Sequence, residues 1–416
     1  MPATRISAGN GLGHATYDAI VVGAGYIGCA VAYHLAAAGL KTALLDRGGL
    51  AAGASRANYG NIQVQDAELA HSLPMIKAGY ARFAGLEERL DRSVGLRRIG
   101  GLLLIETEAQ WRLMADRLPA LHAAGIDAEL IPAHRLSEIE PLLDPSTVLG
   151  ACYHPHEGQV NPFRLMWAFV RRGLDAGLEL GWGAEVLGID VAGGRVQGVR
   201  TSQGAYGAAV VVLCTGAWTP LLGRTLGRDW AIRHVHGQAI VTEPMAERLH
   251  NHVASAAFFE AMHGDSEPSQ DTAVLAMSQT AAGNFLLGEA GGPTASLRSD
   301  ARPGGQAAIA ALVGRHFPTL RHARILRGWA APVAFTDDGM PYLGPVDGVD
   351  GLVLATAFKS TVVVTPLVGE AVAQWALTGR TDFDWSAKYT WPSAKYTWPF
   401  APGSMAATSR EIGHGG

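Results

Sequence analysis

The chain has 416 residues, 48% of them hydrophobic and 17% charged, with a formal net charge of -4. That length allows two or three domains, and the composition gives ample core and excludes a disordered chain. Lysine and arginine are scattered rather than clustered, which argues against nucleic acid as a partner, and no uninterrupted apolar span of about twenty residues marks a transmembrane segment.

Residues 1–16 read as a flexible N-terminus without a hydrophobic signal core, so the expected compartment is the cytoplasm, with contact at the inner membrane only through a partner. The first strong pattern is YDAIVVGAGYIGCAVAYHLAAAGLKTALLDR, Tyr17 to Arg47. Ala19 to Val22 is a β-branched strand. Gly23 and Gly25 permit a tight turn and close approach of backbone to a pyrophosphate, and Gly28 lets the next helix pack on the strand. That helix starts near Tyr26 and Ile27 and points its positive end at the pyrophosphate. A second strand, Thr42 to Leu45, ends in Asp46, whose carboxylate suits ribose hydroxyls and disfavours a 2′-phosphate. With 52 glycines in the chain a lone Gly-x-Gly-x-x-Gly is weak; strand, turn, helix, second strand and acid in register point to an adenine dinucleotide.

After Arg47 comes the loop AAGASRANYGNIQV, then a helical pattern from about Leu73 to Leu90. IGGLLLIET reads as a strand, and Ala109 to Ala124 as a helix with Trp111, Met114, Leu118 and Leu121 on one face. Val160 to Gly177 forms another helix, opened by Asn161-Pro162. GAEVLGIDVAGGRVQGVRTSQG alternates like a three-stranded meander turned at Gly193-Gly194, and AAVVVLCTGAW is a strong strand ending at Thr215-Gly216. From His234 to Glu289 short strands suggest an antiparallel sheet, unlike the parallel one at the start. A helix from Gln306 to Phe317, Gly-rich connections from Arg327, the strand GLVLATAF and a helix from Pro366 to Thr378 follow. The tail carries a tandem heptad, SAKYTWPSAKYTWP, from Ser386 to Pro399. Proline in each copy and the missing apolar seam exclude a coiled coil; a duplication in an extended tail and a segment that docks on a partner both remain.

Cys29, Cys152 and Cys214 form no Cys-x-x-Cys, so zinc, an iron–sulfur cluster and a disulfide framework are disfavoured. Among 15 histidines, the pairs His154 with His156 and His234 with His236 lack a third ligand at metal spacing, so no metal is expected.

Five stretches carry a family resemblance: the opening fingerprint, Ser55-Arg56-Ala57-Asn58, Leu213-Cys214-Thr215-Gly216-Ala217-Trp218, Gly237-Gln238 before Thr242-Glu243-Pro244, and Thr336-Asp337-Asp338-Gly339-Met340-Pro341. Together they resemble the FAD-dependent D-amino acid oxidase superfamily, which includes glycine and sarcosine oxidases. ASRANYGNIQVQ and EGQVNP are most similar to the β subunits of opine oxidase, D-hydroxyproline dehydrogenase and hydrogen cyanide synthase. The resemblance implies an α/β chain, α+β overall. A Rossmann-type FAD-binding domain would take residues 17–80, 150–228 and 327–385, a discontinuous antiparallel substrate domain 81–149 and 229–326, and a tail 386–416.

The resemblance also implies roles. Beyond the fingerprint and Arg47, it places Ser55, Arg56 and Asn58 along the pyrophosphate, and Tyr59, Gly60 and Asn61 at the isoalloxazine. Val186 would contact adenine, and Thr215, Gly216 and Trp218 would lie on the ribityl or pyrophosphate side. Gly339 and Met340 would bring backbone N–H groups to the reduced ring. Relatives carry an arginine that clamps the substrate carboxylate just ahead of the Asp-Gly loop; the matching residue here is Val333. Gln63, Gln238, Gln279 and the Tyr59 hydroxyl are candidate replacements, each with a structural role as the plain alternative. Relatives also place a Gly-His-Gly turn where this chain has Phe358-Lys359-Ser360-Thr361. Lys359 there would stabilise anionic reduced flavin or bind a carboxylate, or else lie exposed at a strand end.

The implied chemistry is hydride removal from carbon next to a primary or secondary amine, with non-covalent FAD as acceptor. The chain would be a catalytic β subunit beside partner chains that carry electrons onward, with FMN at a subunit interface left open. The alternatives are a self-sufficient oxidase that uses oxygen and a non-catalytic flavin-binding assembly subunit.

Overall fold

The computed structural model describes residues 15–69, 72–259, 271–337 and 339–383. Asp338 and the tandem heptad lie outside the described residues, as do residues 1–14.

Five strands run parallel in the order Val349–Thr356, Gly204–Leu213, Thr16–Val22, Thr42–Asp46 and Glu179–Trp182. Their valine-rich composition follows from cover on both faces; Ile20, Val21 and Val210 through Leu213 have no exposed surface. On one face lies the helix Tyr26–Ala37, packed against the helices Pro162–Asp175 and Thr361–Thr378. Asn161 caps Pro162–Asp175, its side chain accepting the Arg164 N–H at 3.0 Å. The expected meander is present as Val186–Ala192 and Arg195–Thr201. Its third strand is not separate from the strong strand that follows: Gly204–Leu213 starts antiparallel to the meander and ends inside the parallel sheet.

A second sheet has the order Ile325–Phe335, Arg233–Pro244, Asn284–Pro293, Ala273–Gln279, His252–Ser255, Gly101–Ile105, Gly150–His154 and Glu129–Pro132. Its pairs are antiparallel except that of His252–Ser255 with Gly101–Ile105, and the helix Pro303–His316 packs on it. Gly150–His154 and most of Ile325–Phe335, in stretches expected with the dinucleotide part, hydrogen-bond into this sheet, because alternation predicts a strand but not its neighbour. A third, small sheet joins Asn61–Ile62, Gly158–Gln159 and Arg97–Arg98.

Two helices differ from expectation. The pattern from Leu73 to Leu90 splits into Leu73–Ala81 and Leu86–Leu90, with Gly85 between them at φ 65. The last helix begins at Thr361, and Pro366 lies inside it. This helix is apolar and long enough to cross a membrane, yet 72% of it is buried, against Tyr26–Ala37 and Leu73–Ala81. Its composition is that of a core helix.

Candidate cofactor and substrate site

A cleft opens at the carboxyl ends of the parallel strands, the place where open α/β sheets take their ligands. The three fingerprint glycines serve three contacts. Gly23, at φ 104, lies so close to the neighbouring strand that a Cβ would stand 2.5 Å from the Cys214 carbonyl oxygen. A Cβ on Gly28 would stand 1.8 Å from the Gly23 carbonyl oxygen, so the helix can approach its own turn only without a side chain. Gly25 makes room for Ser55, whose Oγ accepts the Tyr26 N–H at 3.2 Å. Apart from this Ser55 contact no side chain caps the helix, leaving the rest of its positive end to the cleft.

Asp46 binds the two turns together. One carboxylate oxygen accepts the Ala24 N–H and the other the N–H groups of Gly48 and Gly49, each at 2.8 Å. The guanidinium of the next residue, Arg47, lies 4.0 Å over the Trp218 ring. The cleft is also lined by Ile27, Val186, Thr215, Gly216, Phe358 and Thr361. The Thr215 hydroxyl is 2.8 Å from that of Thr219.

The loop after Asp46 is shaped by its own side chains. Asn58 Oδ1 accepts the Gly60 N–H at 2.7 Å, and Gly60, at φ 80, packs where a Cβ would stand 2.0 Å from the Val160 carbonyl oxygen. Arg56 is exposed, while Asn61 Oδ1 is buried without a partner among the described residues. The Tyr59 ring reaches the second sheet; a Cβ on Gly288 would strike its hydroxyl, and burial and Glu289 hold the phenol well above its usual pKa. Thr336 Oγ1 donates to the Met340 carbonyl at 2.6 Å, and Gly339, at φ 71, abuts Lys359, whose Nζ lies 3.0 Å from where a Cβ would be. Lys359 is partly buried. Burial lowers its pKa, while Glu68 and Asp66 pull it back up. On either side of Phe358 and Lys359, Ala357 and Ser360 hold left-handed φ values of 61 and 49.

Two expected substrate contacts are corrected. Gln238 turns towards the helix Pro303–His316: its Oε1 accepts the Arg302 N–H at 2.7 Å, and its Nε2 is 2.0 Å from where a Cβ on Gly305 would sit. Gln279 holds a turn, accepting the Leu249 N–H at 3.0 Å and donating to the Glu247 and Gly283 carbonyls at 2.8 and 3.0 Å. Gln63 lies partly buried between Ile62 and Val64. Val333 does reach the cleft, between Pro332 and Ala334, with 40% of its surface exposed. Leu221, Leu222, Ala355 and Thr356 also line it. Apolar walls carry no motif that would mark them; only Ala355 and Thr356, at the end of a strand, stand where a signal is available.

Residues 18–375 match the family described as FAD dependent oxidoreductase. The chain belongs to that family. It is similar to glycine oxidase of Geobacillus kaustophilus (26% identical over 377 residues, 88% of this chain and 95% of the relative). It is also similar to the sarcosine oxidase β subunit of Rhodobacter capsulatus (27% over 354 residues, 80% and 78%). The solved structure of the Geobacillus glycine oxidase superposes with a TM-score of 0.79 at 23% identity, covering 93% of this chain and 98% of that one.

The cleft of this FAD-dependent oxidoreductase fits the cofactor on its own geometry: a glycine turn without room for side chains, a helix start met by no side chain but Ser55, and a carboxylate at the second strand. Bound FAD supplies a two-electron acceptor. The fingerprint turn and Ser55 would hold its pyrophosphate, Asp46 its ribose, and Val186 its adenine, with Arg47 and Trp218 closing the outer edge.

Proposed function

We propose that this chain oxidises the C–N bond of an amino or imino acid bearing a secondary amine, of the opine or D-hydroxyproline class, as the catalytic β subunit of a heteromeric dehydrogenase. The observation that carries this reading is Val333. An aliphatic side chain lines the cleft where the resemblance calls for a carboxylate-clamping arginine, so a small α-amino acid loses its main anchor. Lys359, partly buried next to cleft residue Phe358, would be the cation that replaces it in holding a substrate carboxylate. The likeness to a sarcosine oxidase β subunit supports a partnered chain; a partner would carry electrons onward, with FMN at the shared interface one form of carrier.

The test is anaerobic bleaching of the bound flavin by a panel of opines, D-hydroxyproline, sarcosine, glycine and D-amino acids. Bleaching by the first two, with slow return in air that a dye or partner accelerates, is the expected result. Fast re-oxidation by air alone would make the chain a self-sufficient oxidase, a reading favoured by its cover of 95% of the Geobacillus glycine oxidase. No bleaching by any amine would leave a flavin-binding assembly subunit.

A further inference from the structure

Under the loop that follows Asn61, several buried polar atoms have no hydrogen-bond partner among the described residues: Gln65 Oε1, Asp66 Oδ1 and both ring nitrogens of His252. Gln65 and His252 have no exposed surface. Gln65 and His252 meet at Gly101. Gln65 Nε2 donates to the Gly101 carbonyl at 3.0 Å, and a Cβ on that glycine would stand 2.5 Å from the His252 ring and 2.9 Å from Glu157.

Glu157 is the hub of the group. Fully buried, its carboxylate accepts the N–H groups of Val64 and Gln65 at 3.0 to 3.1 Å and faces His154 Nδ1 at 3.0 Å. The His154 ring meets that of exposed His156 edge-on at 5.8 Å. At the other end Asp66, next in the chain to Gln65, feels the charges of Glu157, Arg117 and Lys359, and Arg117 fixes the loop by donating to the Gln65 and Ala67 carbonyls at 3.0 and 2.7 Å. Native proteins leave few buried polar groups without partners, and ordered water is the usual remedy.

We infer that Asp66, Gln65, His252 and Glu157 enclose a file of ordered water that carries a proton from the amine site beside Lys359 through buried His154 to His156 at the surface. The inference rests on the amine-oxidation reading. An amine arrives in water as an ammonium and must be neutral before its neighbouring C–H can leave as hydride. In the relay the ammonium N–H bond breaks and the proton joins the Asp66 carboxylate, leaving a neutral amine and a carboxylic acid. The proton then passes along the water to His156 and bulk solvent, and no electrons move. Asp66 suits the task, since burial and Glu157 push its pKa up to about 7 against the pull of Arg117 and Lys359. His252, lowered to about 4 by burial despite Glu157, stays neutral and offers water a donor and an acceptor without trapping the proton.

The test compares wild type with Asp66→Asn, by anaerobic flavin reduction from mildly acid pH to about pH 10 and by infrared titration of flavin-free and flavin-loaded protein. The expected variant is slowed at least about tenfold near neutrality and recovers at alkaline pH, where the free amine is already neutral. Wild type, with or without flavin, shows a carboxylic-acid C=O band that titrates near pH 7 and is missing from the variant. A loss equal at every pH, or no titrating band in wild type, overturns the relay. Should the asparagine variant not take up flavin, Asp66→Glu, which keeps the acid, is measured in the same way: a retained pH profile supports the relay and a flat one overturns it. If no amine bleaches wild type the amine reading fails, and the infrared band still decides whether Asp66 titrates there.

Discussion

Lys359 sits in a turn that its neighbours make costly. Ala357 and Ser360 carry a Cβ in the left-handed region, where each costs about 1 kcal/mol or more over glycine, and the chain keeps them there with the ammonium between. A flexible glycine turn would leave a lysine free to swing into solvent; this one holds it against Gly339. Replacing it tests the substrate site directly: Lys359→Met should lower either the rate of flavin reduction or the substrate affinity at least about tenfold, and stopped-flow traces unchanged in both respects would remove Lys359 from the site. Its importance was legible in the sequence as a departure from a glycine-rich pattern. The places of Gln238 and Gln279 were not. Composition says that an amide is polar, but strand register decides which face it takes, and a shift of one residue reverses the answer. Gln238 falls on the helix side, next to Gly305.

The dinucleotide turn is a single packed element in which every glycine is spoken for by a particular neighbour. Gly28→Val should therefore force the helix Tyr26–Ala37 off its strand, since even the first carbon of the side chain would lie 1.8 Å from the Gly23 carbonyl oxygen. Overpacking of this kind costs about 1–3 kcal/mol, and the expected outcome is protein purified with little flavin. Flavin absorbance per mole of protein measures it; a full complement of FAD would mean that the turn opens without harm. This element was legible because its logic is local, with strand, turn, helix and acid adjacent in the chain. The helix from Leu73 was legible in type but not in length, because Gly85 ends one segment and starts another at a left-handed φ. Where Gly150–His154 and Ile325–Phe335 belong was not legible at all, since non-local pairing leaves no trace in a strand's own residues.

At the scale of the whole molecule, the pH dependence of folding follows from His252 in the second sheet. It is fully buried, and burial lowers its pKa from 6.5 to about 4. The unfolded chain therefore binds a proton at this residue between about pH 6.5 and 4 while the folded chain does not, so stability is lost as pH falls through that window. The term reaches about 3 kcal/mol at its acid end. Urea midpoints measured from neutrality to pH 4 should fall for wild type, and less steeply for His252→Gln; parallel curves would show that His252 does not set the slope. The sheet order has a further consequence, for synthesis. The strand Val349–Thr356 pairs with Gly204–Leu213, and the helix Thr361–Thr378 covers Tyr26–Ala37. A nascent chain that has reached Phe335 thus still presents an open strand edge and an apolar helix flank to its surroundings, both waiting for Val349–Thr356 and Thr361–Thr378. The cofactor cleft, which Gly23 to Asp46 announce, is therefore completed only once Ala355 to Thr361 have been made, and until then the open edge and flank invite contact with other chains.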